Sequence, residues 1–535
     1  MGYHARSQYS ALYSLGNIKD GGMKVKVRAI LFDTRSIQRY IYASNKLRTN
    51  IGASYIVEHL FSDILAGIID EKYKDKCHIA YNGGGNALVL FKNENTPADE
   101  PKKLVEEFST RLLVEYPGLH IGAAVGDIDT EHGFQSDLSD LYKKLKDSQS
   151  NFAPMTDIPY TGFTLLSDQD GEVANGYDKI ESSGSESRFC SQAVIAKNAA
   201  AEKANAVLWD KFYNIFEKYG ADYSFPMELD KLGQKTGENY IAVIHIDGNN
   251  MGKKFEGCEG LSKRQKLSND IKAKTEGAFG KLLETIIVDI ENNRYENKLK
   301  IDGTLPIRPL ILGGDDVTFV CPAKVALAYT KRFMEYMLEK DDNLDDVAKS
   351  IDSCAGIAIL PTSYPFFRGY TLAEQLCDNA KKKMREVGKE QGSCWLDFIL
   401  LHGEQAPTLK QILAQEHKAV KGCTHFGPYQ VANKDGKHAA DRRYNIENLI
   451  KCGKFFSENG GPAIANNKVK ELRRVLQLGD EALDNYMQQL GHQGKDLPDI
   501  DSWECYRENL WSGHKTPYID AIEIMDFLEG VDGDE

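Results

Sequence analysis

The chain has 535 residues, with 66 Lys and Arg against 79 Asp and Glu, a formal net charge of −13 at pH 7 and a length that carries a prior of about three to four domains. Hydrophobic content of 41% and charged content of 27% suit a soluble globular chain able to bury large cores. The acidic balance carries no general polyanion-binding signature and leaves open a local basic groove, and no apolar stretch reaches the roughly 18 to 20 residues of a membrane span.

The opening MGYHARSQYSALYSLGNIKD has no apolar signal core, which argues against secretion. VKVRAILFD (Val25 to Asp33) is an apolar strand ending in a carboxylate. A helical stretch follows, with Ile37, Tyr40 and Ile41 at helical spacing. CHIAYNGGGNALVLF (Cys77 to Phe91) reads as a hairpin around Gly83, Gly84 and Gly85. PKKLVEEFSTRLLVEY is an amphipathic helix, LHIGAAVGD a fourth strand and SDLYKKLKDSQ a closing helix. The order β-α-β-β-α-β is the ferredoxin-like arrangement.

The stretch Ser167 to Ser187 is polar and rich in Gly and Ser, a loop or linker. It leads into the Ala-rich CSQAVIAKNAAAEKANAVLWDKFYNIF, read as helix. The ten Cys form no C-x₂-C or C-x₄-C pair, which argues against a zinc ribbon or disulfide framework and for a reducing cytoplasm. Cys423 and His425 are too few ligands for a zinc site.

About 215 residues after the first unit its order returns. YIAVIHID is strand one and a helix follows it, with an insertion around Gly257 to Ser262. PIRPLILGG and DVTFVCP form a hairpin, AKVALAYTKRFMEYMLEK a helix, DSCAGIAILP strand four, and TLAEQLCDNAKKKMREV the closing helix with Leu372, Leu376, Ala380 and Met384 as its buried stripe. After residue 400 the pattern is helical and polar, including the helical pair NNKVKELRRVLQLGDEALDNYMQQL, and the acidic end GVDGDE reads as frayed. The expected architecture is α+β: two ferredoxin-like domains facing each other as a pseudo-dimer, over residues 1–150 and 236–400, with a linker at 151–235 containing a helix and a helical domain at 401–535.

The chemistry concentrates in the second unit. Asp247 ends one apolar run, and Asp315 with Asp316 follow Gly313 and Gly314 at the end of another. Taken alone, a Gly-Gly pair is a hairpin turn and an Asp before Gly-Asn-Asn is a helix cap. Side by side, the two strands bring three carboxylates to one spot, where they need cations. Oxygen ligands of this kind suit Mg²⁺ or Mn²⁺, and two such ions drive in-line displacement at phosphorus. Gly248, Asn249, Asn250, Met251 and Gly252 turn into the following helix and offer backbone N–H groups to phosphate oxygens. Lys253 and Lys254 read by default as solvated. The first unit has Asp33 and Gly-Gly-Gly-Asn, one carboxylate where the second has three.

IDGNNMG and GGDD in paired units resemble the palm-type nucleotidyl cyclases and polymerases, and most closely the large polymerase subunit of type III CRISPR effector complexes; FDTRSIQRYIYASNKLRTNIGAS resembles the first-palm opening of that family. The resemblance covers roughly residues 25 to 400. The family's HD nuclease and inter-palm zinc ribbon are missing from this sequence: it contains no His-Asp dipeptide, and Cys190 alone stands in the ribbon region. The resemblance implies two palm domains, a catalytic second palm and a degenerate first, whose Gly84, Gly85 and Asn86 are either a second nucleotide contact or part of a purely structural half. It also implies joining of ATP or other nucleoside triphosphates into a cyclic oligonucleotide or dinucleotide messenger in antiviral defence. Asp247, Asp315 and Asp316 would hold two Mg²⁺ or Mn²⁺ ions, and Lys381 matches the lysine that neutralises the triphosphate. Arg39, Lys46 and Arg48 would line the shared cleft or form a solvated helix side. Alternatives are a linear polymerase and a nucleotide-binding sensor or scaffold subunit. Implied partners are a protein or nucleic-acid trigger, CRISPR-type subunits or a downstream nucleotide-sensing effector; no membrane is implied, and the location is cytoplasmic.

Overall fold

A computed structural model describes residues 26–531, apart from 94–95, 131–132, 151–161, 179–187, 221–222, 236, 388–391, 404–407, 435–440, 458–463 and 508. The opening residues 1–25 and the last four residues of the acidic end therefore lie outside the described residues, as does part of the Gly- and Ser-rich linker stretch.

The first palm is a four-stranded antiparallel sheet of β1 (Lys26–Arg35), β2 (Cys77–Gly83), β3 (Asn86–Phe91) and β4 (His120–Asp129), ordered β2-β3-β1-β4. β1 is central, and its run Ala29–Phe32 is continuous rather than alternating because both faces are covered. Ile30 and Phe32 pack with Phe61, Leu104 and Phe108 of the helices on one side. Ala29 and Leu31 meet Leu138, Leu141 and Leu145 of the Phe134–Ser150 helix on the other. Strands buried on both faces read as unbroken apolar runs. The helical stretch Leu47–Tyr73 is, by length and composition alone, long and apolar enough to cross a membrane. Its Leu60, Phe61, Leu65 and Ile68 are instead core residues of this palm.

Between the palms, β5 (Gly176–Asp178) and β6 (Arg188–Cys190) form a two-stranded ribbon where the sequence suggested only loop. The expected Ala-rich helix follows at Gln192–Lys211, capped by Ser191, whose Oγ accepts from Val194 N. It lies against the Leu47–His59 helix so closely that a Cβ on Gly52 would overlap the Lys197 carbonyl oxygen. Arg48 is drawn to Glu202 on that helix at 2.7 Å, so it ties linker to palm rather than lining a cleft. Arg39 and Lys46 are exposed.

The second palm repeats the plan with β7 (Tyr240–Gly248), β8 (Arg308–Gly313), β9 (Asp316–Pro322) and β10 (Ser353–Pro361), in the matching order β10-β7-β9-β8. Two strands the sequence reading missed extend it: β11 (Ser393–Leu400), parallel to β10, and β12 (Tyr429–Asn433), antiparallel to β11. The parallel step is bridged by the Phe366–Val387 helix, as a parallel pair requires. The expected stripe Leu372, Leu376, Ala380 and Met384 is buried. The region after residue 400 is mostly helical as expected, with the pair Asn466–Leu478 and Asp480–His492. It nonetheless supplies β12 to the palm sheet, and Phe426, Ile446, Trp503 and Tyr518 share one hydrophobic cluster with Ile244, Phe319 and Phe398.

The palms pack directly on each other. Tyr42, Leu47 and Ile51 of the first share a cluster with Leu310, Val320, Phe366 and Tyr370 of the second. Gln38 Nε2 donates to Glu374 Oε1 at 2.9 Å, Phe366 N to Asn45 Oδ1 at 3.1 Å, Ser54 Oγ to the Leu310 carbonyl and Gln265 Nε2 to the Ala80 carbonyl. The result is a pseudo-dimer of two matching sheets.

Candidate active site

Register brings the carboxylates together. β7 and β9 pair antiparallel with Asp247 opposite Asp316, and Gly313 opposite Asp316 closes the β8–β9 hairpin around a two-residue turn of Gly314 and Asp315. Gly314 takes φ +74°, and its carbonyl accepts from Thr275 Oγ1. Gly248 N donates to the Asp315 carbonyl at 3.1 Å, so the two strand ends are stitched together. A Cβ on Gly248 would stand 2.9 Å from the Asp315 Cβ and 2.8 Å from Met251 Cε, which leaves room for glycine alone.

The electrostatics record the crowding. Burial and the Asp247 charge push Asp315 up to about 6; burial, Asp247, Asp315 and Glu374 push Asp316 up to about 8. Clustered carboxylates that resist ionisation are a mark of sites built for cations. Asp316 Oδ1 is shut off from solvent with no hydrogen bond. His245 Nδ1 stands 3.4 Å from that oxygen and 3.4 Å from Thr318 Oγ1. Lys381 makes an ion pair with Asp247, and so neutralises the carboxylate rather than standing free in the cleft.

Among the described residues no three His, Cys, Asp or Glu side chains form a ready-made metal cage. The donor set still fits Mg²⁺ or Mn²⁺. Such ions take few protein carboxylates and complete their shell with water and substrate phosphates, and Asp316 offers a buried acceptor oxygen that takes no hydrogen bond, with His245 Nδ1 its near neighbour.

Asn250 turns the chain into the Met251–Glu256 helix in the left-handed region, φ 58°. Asn249 is buried; its N–H donates to the Asp352 carbonyl at 2.9 Å, while its side-chain Oδ1 is buried without a partner. Gly252 is exposed, as is Lys253. Lys254 corrects the solvated reading: its Nζ is buried without a hydrogen bond, 3.9 Å from Asp352 Oδ1. Lys434 reaches the same oxygen at 3.0 Å.

The first palm preserves this geometry with different chemistry. Asp33 pairs with Asn86 as Asp247 pairs with Asp316. Thr34 N donates to the Gly85 carbonyl at 2.9 Å, the counterpart of the Gly248 to Asp315 bond. Gln149 Nε2 donates to Asp33 Oδ2 at 2.7 Å, in the place of Lys381 at Asp247. Gly84 and Gly85 take φ +60° and +76°, and Ile37 Cδ1 lies where a Gly85 Cβ would clash.

Sequence reasoning missed Asp352, Lys434, His245 and Tyr42. His245 had a signal, two residues before Asp247 and so on the same strand face. Tyr42 comes from the other palm and stacks on Tyr370 at 4.1 Å; burial and the Asp316 charge hold its hydroxyl well above the usual tyrosine range. Nothing in local pattern could place it there.

Residues 240–390 match the family model described as Cas10/Cmr2, second palm domain. No curated protein matches the sequence. Among solved structures, a Csm1–Csm4 cassette in complex with cA4 aligns with a TM-score of 0.52 at 12% identity, over 95% of this chain and 70% of that one. Csm1 of T. onnurineus aligns with a TM-score of 0.51 at 14% identity, over 94% and 70%. A further Csm1–Csm4 cassette, in complex with pppApA, gives 0.50 at 12% identity, over 94% and 70%. At these identities the likeness is one of fold.

Proposed function

We propose that this chain, a palm protein of the type III CRISPR large-subunit kind, is a Mg²⁺-dependent nucleotidyltransferase that joins ATP or other nucleoside triphosphates into a cyclic oligonucleotide or dinucleotide messenger, acting in antiviral defence in the cytoplasm. The observation that carries the reading is the register pairing of Asp247 with Asp316 beside the Asp315 turn. Support comes from the palm match and from Csm1–Csm4 relatives that hold cA4 and pppApA.

Asp247, Asp315 and Asp316 would hold two Mg²⁺ or Mn²⁺ ions, which supply charge neutralisation at the entering and leaving oxygens of the displaced α-phosphate. The protein's own contribution is position. The stitched strand ends fix the carboxylates, Lys381 balances Asp247, and the turn at Asn250, Met251 and Gly252 lets phosphate oxygens approach the backbone, whereas the expected N–H donors of Gly248 and Asn249 are already given to the Asp315 and Asp352 carbonyls. Gly313 and Gly314 shape the hairpin that presents Asp315. The first palm, with Asn86 in place of a carboxylate, binds a second nucleotide against Gly84, Gly85 and Asn86 and leaves the reaction to the second palm.

Incubation of the full chain with each nucleoside triphosphate and Mg²⁺ or Mn²⁺, followed by mass spectrometry, tests this. A cyclic oligonucleotide mass is expected, and the Asp315→Ala, Asp316→Ala variant is expected to lose it while keeping its melting temperature. A linear product would make the chain a polymerase, against which the net charge of −13 already weighs, since a strand needs a basic track. Nucleotide binding without product would make it a sensor or a subunit awaiting a trigger, a reading that the Csm4-bound relatives favour.

A further inference from the structure

Beside the metal carboxylates lies a charge cluster that the transfer reading does not use. Asp352 sits at the entry to β10, and only 6% of it is exposed. Its carbonyl accepts from Asn249 N, and the neighbouring Ser353 pairs with Gly248, so it is one residue layer from the Asp247 and Asp315 strand ends. Two ammonium groups converge on its carboxylate: Lys434 at 3.0 Å and Lys254 at 3.9 Å. They come from opposite ends of the domain. Lys254 rides on the helix that leaves Gly248; Lys434 follows β12, the strand contributed by the C-terminal region.

Within the trio one carboxylate faces two ammoniums, with Asp315 a further negative group acting on Lys254, and the distribution is uneven. Lys434 is hydrogen-bonding distance from Asp352, whereas Lys254 Nζ is closed to solvent and donates to nothing. An ammonium closed to solvent with no hydrogen-bond acceptor is unfavourable, and a fold retains it where a ligand supplies the acceptor. Lysine is a point charge with three donors, suited to oxygens without fixed bidentate geometry.

We infer that Lys254 and Lys434, bridged by Asp352, grip the terminal phosphates of the nucleoside triphosphate, so that the C-terminal region closes the phosphate end of the second-palm site. This rests on the nucleotide reading of the site and adds to it the residues that select a triphosphate over a monophosphate. It divides the labour among the lysines: Lys381 balances a carboxylate, and Lys254 with Lys434 reads the polyphosphate.

The test is calorimetry on the full chain with Mg²⁺, using α,β-methylene-ATP, which cannot be cleaved at the reacting bond, and AMP. Lys254→Met and Lys434→Ala are each expected to weaken the triphosphate analogue by about tenfold, one charge-assisted contact, and to leave AMP unchanged. Asp352→Asn frees both ammoniums and is expected to hold or tighten the analogue, which a purely structural tether would not do. Equal losses for both ligands, or unchanged preference in the exposed-side Lys434→Ala variant, would overturn the inference. Its failure is separable from that of the transfer reading. A wild-type chain that makes no product but loses its triphosphate preference in the variants upholds the clamp alone. One that makes product and keeps its preference in both variants refutes the clamp alone.

Discussion

His425 shows how a single buried residue is made tolerable and what it contributes. It is 3% exposed and lies between two carboxylates, with Nε2 2.9 Å from Asp397 Oδ1 and Nδ1 3.5 Å from Asp520 Oδ1. Asp397 also accepts from Asn379, and Asp520 from Phe426 N, Gly427 N and Tyr429 Oη. Although burial opposes it, the two carboxylates raise His425 well above the usual histidine range, while His425 holds Asp520 below the usual carboxylate range. The signs follow. The histidine's contribution is full below its unfolded pKa of about 6.5 and is lost as pH rises toward the folded value. The Asp520 contribution is full above about 3.9 and is lost as pH falls. Removing the cation strands two buried charges, so His425→Gln should cost about 3–5 kcal/mol near pH 6. Urea unfolding of wild type and variant at intervals from pH 6 to 9 checks it: the stability gap should narrow with rising pH, and a gap independent of pH would refute the charged histidine. None of this was visible in the sequence, where His425 drew attention only for its spacing from Cys423. Its partners lie 28 and 95 residues away, beyond any local pattern.

Among elements, close approach decides more than propensity. Gly52 and Gly67 both lie on the Leu47–Tyr73 helical stretch, yet they predict opposite outcomes. An Ala at 52 would drive its methyl into the Lys197 carbonyl and unseat the linker helix; at 67 the added Cβ meets nothing within 4 Å. Gly52→Ala should therefore destabilise by about 3 kcal/mol or more. Gly67→Ala should stabilise by roughly 0.5–1 kcal/mol through helix propensity and chain entropy. Thermal unfolding of both variants reads the difference, and a Gly52→Ala chain as stable as wild type would show that the linker helix does not dock as described. Elements with strong period or punctuation were legible: the paired β-α-β-β-α-β units, the Ala-rich helix, and the stripe of Leu372, Leu376, Ala380 and Met384. β12 was not, because YQVAN is five residues whose strand character comes from docking on β11. The Tyr177–Phe189 pair of the β5–β6 ribbon went unnoticed, with Tyr177 inside the polar stretch and Phe189 just past its end at Ser187. The candidate carboxylates were legible because turn and strand-end residues carry chemistry at short range. Lys254 was misread because helical position alone cannot show that Asp352 and Lys434 stand beside it.

For the molecule as a whole, the two palms are one geometry with two charge states, and this makes the symmetry testable. The second palm tolerates Asp247 opposite Asp316 partly because Lys381 reaches Asp247 from the closing helix. The first palm has one carboxylate in the pair, Asp33 opposite Asn86, and a neutral Gln149 in the place of the lysine. Burial already raises Asp33 above the usual carboxylate range. Each palm thus matches its helix donor to its carboxylate number. Asn86→Asp should place a second negative charge against Asp33 with no cation to balance it, and should destabilise the chain by about 1–2 kcal/mol at neutral pH. Gln149→Lys alone should be near neutral. Combined, the lysine should recover most of the loss, a coupling of about 1 kcal/mol or more in a double-mutant cycle. The cycle is measured by urea unfolding at neutral pH and again near pH 4, where protonation of the carboxylates should shrink the coupling. Additive effects at both pH values would mean that Gln149 and Lys381 are not equivalent across the pseudo-two-fold, and that the first palm lost its carboxylates for reasons unrelated to charge.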